Sequence, residues 1–101
     1  MSNGKISVKV NHSTMEGINK ALVYELTQID SNDEIDKMRG SLLLELARKI
    51  QIRQMIFQDH YRFSITQAQA YAIHCTFFAG PGAYETSVML FLRNLVGSKL
   101  P

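Results

Sequence analysis

The residues able to do covalent chemistry come first, because their spacing decides what the chain can be. His74 and Cys75 are adjacent, with Glu85 shortly after, and a thiol beside an imidazole is the raw material of nucleophilic catalysis. Neighbours on a helix point about 100° apart, so this pair does not face itself as nucleophile and base must. Cys75 also falls on a small-residue stripe with Ala68, Ala72 and Ala79, where a thiol acts as a modest apolar filler. His12 and His60 stand singly, without metal-ligand spacing, and Asp33, Glu34 and Asp36 do not follow a calcium-loop pattern. The "GPGAYE" turn lacks the lysine and the preceding strand of a phosphate-cradling loop. No enzyme activity, no metal site and no cofactor is expected. A helix-turn-helix centred on Gly80 to Gly82 fails as well, since its reading helix, "YETSVMLFLRNL", offers apolar residues where base-edge donors are needed.

A second kind of chemistry, non-covalent recognition of an anion, fits the sequence better. In "KISVKV", Ile6, Val8 and Val10 alternate with Lys5, Ser7 and Lys9, the period-two signature of a strand with one buried and one wet face. Farther on, Asp30, Asp33, Glu34 and Asp36 precede a basic stretch holding Lys37, Arg39, Arg48, Lys49 and Arg53. An acidic first turn and a basic remainder complement a helix dipole, while the same cations form a basic surface for an anionic partner.

The elements that must position these groups are mostly helical. Capping-box patterns begin at Ser13, Ser31 and Ser64, each followed three residues on by Glu16, Glu34 or Gln67. With the Gly80–Gly82 turn, they predict helices over roughly 14–30, 32–60, 65–79 and 83–97. Met15, Ile18, Leu22, Leu26 and Ile29 stripe the first. Ile35, Met38, Leu42, Leu46, Ile50 and Phe57 stripe the second, and Leu44, Ile52 and Met55 lie on its far side. The third is apolar nearly all round, and the fourth is expected to bury Tyr84, Val88, Phe91, Leu92 and Leu95. No internal repeat and no low-complexity linker is evident.

Of the 101 residues, 46% are apolar, which is the composition of a globular chain, and the net charge is only +2. No apolar run approaches the ~18 residues of a membrane span, and the N-terminus lacks the apolar core of a signal peptide. A lone cysteine agrees with a reducing compartment, so the expected location is cytoplasmic.

Nothing beyond residues 5–10 reads clearly as a strand, and a lone strand leaves its backbone groups unpaired. Two chains laying these strands antiparallel would complete each other's ladder. Ile6, Val8 and Val10, with Leu42 and Leu46, would form the dimer core. Lys5, Ser7 and Lys9 would project from a two-stranded ribbon of a width that fits the DNA major groove. The expected fold class is therefore mainly α: a ribbon-helix-helix region over 1–60 with an intermolecular strand, then a two-helix segment over 61–101 that adds an oligomerisation or partner surface, the whole an obligate oligomer.

Residues 5 to about 53 resemble ribbon-helix-helix DNA-binding proteins. "KISVKV" and "MEGIN", followed by "GSLLLELARKIQIRQM", are most similar to the TraM-type relaxosome accessory proteins of conjugative plasmids. The matching positions are Lys5, Glu16, Ile18, Asn19, Leu43, Leu44, Glu45, Leu46 and Arg48. The resemblance implies sequence-specific binding of double-stranded DNA at a plasmid transfer origin and at the protein's own promoter. It makes Lys5, Ser7 and Lys9 the base-reading residues, and Asn11, Ser13 and Thr14 candidates for phosphate contact. It also implies self-association to dimers or tetramers, and contact with a conjugation coupling protein or relaxase. Residues 60 to 101 depart from that family: the segment is shorter, it carries the Gly-Pro-Gly turn, and it ends "LVGSKLP" where relatives have an acidic tail. The alternative is an all-helical oligomeric interaction module that touches no DNA, its outward lysines serving solubility and edge protection.

Overall fold

The first strand, β1 (Ile6–Asn11), is where its alternation places it, and its partner lies in the same chain. The computed structural model describes residues 5–76 and 82–100. After β1 come α1 (His12–Leu26), α2 (Glu34–Arg53), β2 (His60–Ile65), α3 (Gln67–His74) and α4 (Ala83–Lys99). The strands form a two-stranded antiparallel sheet in which Ile6 faces Ile65, Val8 faces Phe63 and Val10 faces Tyr61. Those six side chains are buried and form the floor of the core. Each contributes roughly 1.5–3 kcal/mol from the apolar surface it removes from water.

This corrects the intermolecular strand. The ladder that a second chain was expected to complete is completed by β2, so the ribbon's backbone no longer requires an oligomer. The second helix was expected to run to residue 60 but ends at Arg53, and "HYRFSI" turns back along β1. The sequence does carry that strand's signal. Tyr61, Phe63 and Ile65 alternate with His60, Arg62 and Ser64, the same period-two pattern as "KISVKV". Reading Ser64 as a helix cap hid it. Thr66 is the cap instead, forming a reciprocal box with Gln69: Gln69 N–H donates to Thr66 Oγ1 at 3.1 Å, and Thr66 N–H donates to Gln69 Oε1 at 3.0 Å. Asn11 and Asp33, not Ser13 and Ser31, cap the first two helices.

The helix faces also differ from expectation. Met15, Ile18 and Leu22 of α1 and Leu46 and Ile50 of α2 are buried as predicted, but α2 also turns Gly40, Leu43 and Ala47 inward and leaves Ile35 and Met38 exposed, and Phe57, beyond its end, is exposed too. In α4, Met89 and Val96 join Val88 and Leu92 inside, while Tyr84 and Phe91 stay at the surface. Cys75 is exposed, not a filler. Phe77, Phe78, Ala79 and the start of the Gly-Pro-Gly turn lie outside the described residues.

The chain folds as strand–helix–helix twice over. A shift of 55 positions aligns the strand and first helix of one half with those of the other, from Asn11 to Thr66 as caps and from Met15 and Ile18 to Ala70 and Ile73, all four of these last side chains fully buried. The second helices follow the same rule with a shorter connection, Leu43, Leu46 and Ile50 recurring as Met89, Leu92 and Val96. Packing repeats too: α1 lies against α2 and α4, and α3 lies against α4 and α2. The halves are thus related by an approximate two-fold axis through the Val8–Phe63 pair, the one pair whose members are both opposed in register and equivalent under the shift. Burial repeats while residue identity does not, which is why the sequence reads as free of repeats.

Two details lock the arrangement. Gly17 lets α4 cross α1 closely, since a Cβ there would sit 3.0 Å from Tyr84 and 3.2 Å from Val88. Arg39 ties α2 to α1 and to the segment after α3: it donates to Glu25 Oε2 at 2.8 Å, to Asp36 Oδ1 at 3.2 Å and to Thr76 Oγ1 at 3.2 Å. These partners hold its guanidinium charged above the ordinary arginine range in spite of partial burial. Among the described residues, no helix is long and apolar enough to cross a membrane.

Candidate nucleic-acid interface

The outer face of the sheet is wet and basic. Lys5, Ser7, Lys9 and Asn11 are exposed along β1 and its approach; His60 and Arg62 are exposed along β2, and Ser64 is half-buried. The helices back the opposite face. Lys5, Ser7 and Lys9 therefore occupy the outward positions expected of them, while Ile6, Val8 and Val10 occupy the core of one chain and not that of a dimer. Leu46 is fully buried and Leu42 packs at the core's margin. Sequence reasoning missed His60, Arg62 and Ser64 as partners on this face, because it missed the strand that carries them.

The register fixes which of these groups meet. His12 N–H donates to Asp59 O at 3.1 Å, one step beyond the strand ends. Hydrogen-bonded and non-hydrogen-bonded pairs alternate along an antiparallel ladder, so Lys9–Arg62, Ser7–Ser64 and Asn11–His60 are non-hydrogen-bonded pairs. In such pairs the side chains stand closest. Two cationic residues are thereby set at directly opposed positions of the ladder, and like charges at such positions weaken a sheet. Among the described residues none of the outward strand positions is acidic, and neither Lys9 nor Arg62 has an ion pair.

The same alternation turns the carbonyls of Ser7, Lys9 and Ser64 away from the opposing strand. On the β2 side, Lys49 reaches from α2 and donates to Ser64 O at 2.7 Å, covering that edge with its stem. Burial holds the Lys49 ammonium below the ordinary lysine range, and the neighbouring charges of Lys5 and Arg53 push the same way against Glu45. Lys49 thus lies near both Lys5 and Arg53, with Glu45 also beside it, at the Ser64 end of the sheet. On the β1 side, Lys9, Asn11 and Thr14 face Tyr84, Ser87 and Phe91 of α4 across an open groove of about 370 Å³.

The phosphate candidates divide. Asn11 Oδ1 accepts from Thr14 N–H at 2.8 Å, so that amide is already engaged as part of the helix cap, while Ser13 is exposed on the first turn of α1. The acidic cluster has structural work. Asp33 caps α2 by accepting from Ile35 N–H at 2.9 Å, and Asp36 accepts from Asp30 N–H at 3.1 Å as well as from Arg39. The Asp30 amide first, and then Arg39, hold the Asp36 carboxyl below the usual carboxylate range. Among the described residues no cluster of histidine, cysteine or acidic side chains is arranged to hold a metal ion. No protein-family model, curated protein or solved structure matches the chain.

Proposed function

We propose that this protein binds double-stranded DNA in a sequence-dependent way, laying the outer face of its β1–β2 ribbon in the major groove. The observation that carries the proposal is the Lys9–Arg62 pair. Two cations opposed on a solvent face cost the fold stability, and an anionic partner turns that cost into affinity. A two-stranded ribbon has the width of the major groove, and arginine, lysine, serine and histidine are side chains that reach base edges there. In ribbon-helix-helix proteins two chains each supply one strand; here one chain supplies both. The resemblance of residues 5 to 53 to relaxosome accessory proteins directs the search to two duplexes, the one upstream of the protein's own coding sequence and a plasmid transfer origin.

The test is fluorescence anisotropy with the upstream duplex against a scrambled duplex, across a salt series. Binding through Lys5, Lys9, Arg62 and their basic neighbours neutralises ~3–5 phosphates, so log K should fall against log salt with a slope of about −3 to −4.5. Tighter binding to the native duplex at physiological salt establishes sequence reading. Equal or absent binding refutes it.

One observation favours a second reading, a protein-interaction module. Ile52, Met55, Ile56 and Phe57 follow one another near the end of α2, and each is at least 66% exposed. An apolar run of that kind is a surface for a protein partner. Without duplex binding, this exposed run is the surface through which the protein acts.

A further inference from the structure

We infer that one chain is the complete reading unit and that its target is a single non-palindromic duplex site, bound in one orientation. The inference rests on the DNA-binding reading above and deepens it. Under the approximate two-fold through Val8 and Phe63, Lys5 exchanges with His60, Ser7 with Arg62, and Lys9 with Ser64. A homodimeric ribbon would carry the same side chain at both members of each exchange, and so would match a palindrome. Here no exchange preserves the residue.

The consequence is a ribbon with two chemically distinct ends. On one side of the axis Lys9 stands opposite Arg62, with Asn11 opposite His60 beyond it. On the other side Ser7 stands opposite Ser64, with Lys5 beyond. Arginine and lysine only donate, and guanine presents two acceptors, O6 and N7, in the major groove. Serine hydroxyls donate and accept, and so tolerate either base pair. The Lys9–Arg62 half therefore favours guanine, and the Ser7–Ser64 half, which has Lys5 and Lys49 at its margin but hydroxyls at its centre, reads base edges more weakly. The strand edges are unlike as well. Lys49 closes the β2 edge at Ser64, while the β1 edge at Lys9 and Asn11 opens on the groove walled by Tyr84 and Phe91. The fold is already complete in one chain: both strands pair, and each first helix packs against both second helices.

The experiment is selection by the purified full chain from a randomised duplex library, followed by native mass spectrometry on the recovered duplex. The expected result is a non-palindromic motif with guanines in one half and one chain per duplex. Mutating the guanine half should weaken binding roughly 5- to 150-fold, the range for losing a bidentate base contact, and mutating the other half should cost less. The triple variant Lys5→His, Ser7→Arg and Lys9→Ser makes the two strands alike outward. It should select a palindrome while keeping the wild-type circular dichroism. A palindromic motif bound by two wild-type chains overturns the single-unit inference and leaves DNA binding standing. A library from which nothing is enriched overturns DNA reading itself, and this inference with it.

Discussion

Replacing Arg62 with threonine should move stability and DNA affinity in opposite directions. Arg62 opposes Lys9 in a non-hydrogen-bonded pair, and among the described residues none of the outward strand positions is acidic. Across roughly 6–8 Å of near-bulk water, two unit charges repel by about 0.5–0.7 kcal/mol. Like-charged cross-strand neighbours cost a sheet a similar amount, and threonine is in addition a good strand former. Arg62→Thr should therefore stabilise the free protein by ~0.5 kcal/mol, which for a domain of this size raises Tm by about 2–4 °C at low ionic strength. The gain should shrink toward ~1 M salt, where charges are screened beyond about 3 Å. In anisotropy titrations the same variant should lose ~1–3 kcal/mol of affinity for the preferred duplex, and its salt slope should become shallower by about 0.9. The two halves of the prediction are measured on one protein preparation, by thermal unfolding without DNA and by titration with it. A variant that is less stable by more than ~1 kcal/mol would show that Arg62 serves the fold. Unchanged affinity would remove the ribbon face from the binding mechanism. Either result refutes the argument from opposed cations.

The remaining predictions concern the frame that holds the ribbon. Val8→Asp places an unpaired charge at a side chain only 2% exposed, and should abolish the cooperative thermal transition; a folded variant would mean the strand faces are reversed. Arg39→Ala leaves Glu25 nearly buried without its partner and should cost about 3 kcal/mol in urea unfolding, whereas the double change with Glu25→Leu should recover most of it. An equal loss in both would show that the arginine stem, and not its charge, matters. The pH dependence follows from Asp36, whose folded-state pKa is lowered by Asp30 N–H and Arg39. As pH falls the unfolded chain takes up the proton first, so its contribution is full above the ordinary aspartate value of about 4 and is lost as pH falls through the lowered one. Asp36→Asn should flatten that acid limb of the stability profile, and an unchanged limb would discard Asp36 as its source.

The sequence alone determined which side of each strand faces water. Period two in "KISVKV" is a local property of side chains on a pleated backbone, and it placed Lys5, Ser7 and Lys9 outward and Ile6, Val8 and Val10 inward without any partner being known. It also determined the helical character of most of the chain, through periodicity and capping residues. It did not determine what β1 pairs with. A ladder is satisfied equally by any extended segment of matching pattern, whether in another copy or farther along the chain, and nothing local distinguishes them. The choice fell to the length of α2, which ends at Arg53, leaving Tyr61, Phe63 and Ile65 to close over the core, and to α4 crossing α1 at Gly17. Helix faces were legible only in part, because α2 and α4 carry more apolar residues than one core can cover. Which of them were buried was decided by the neighbours each helix met: Leu43 and Met89 inside, Met38 and Phe91 outside. The opposition of Lys9 and Arg62 belongs to the tertiary structure for the same reason. Each cation is visible in the sequence, but their juxtaposition exists only once two segments far apart in the chain are brought into register.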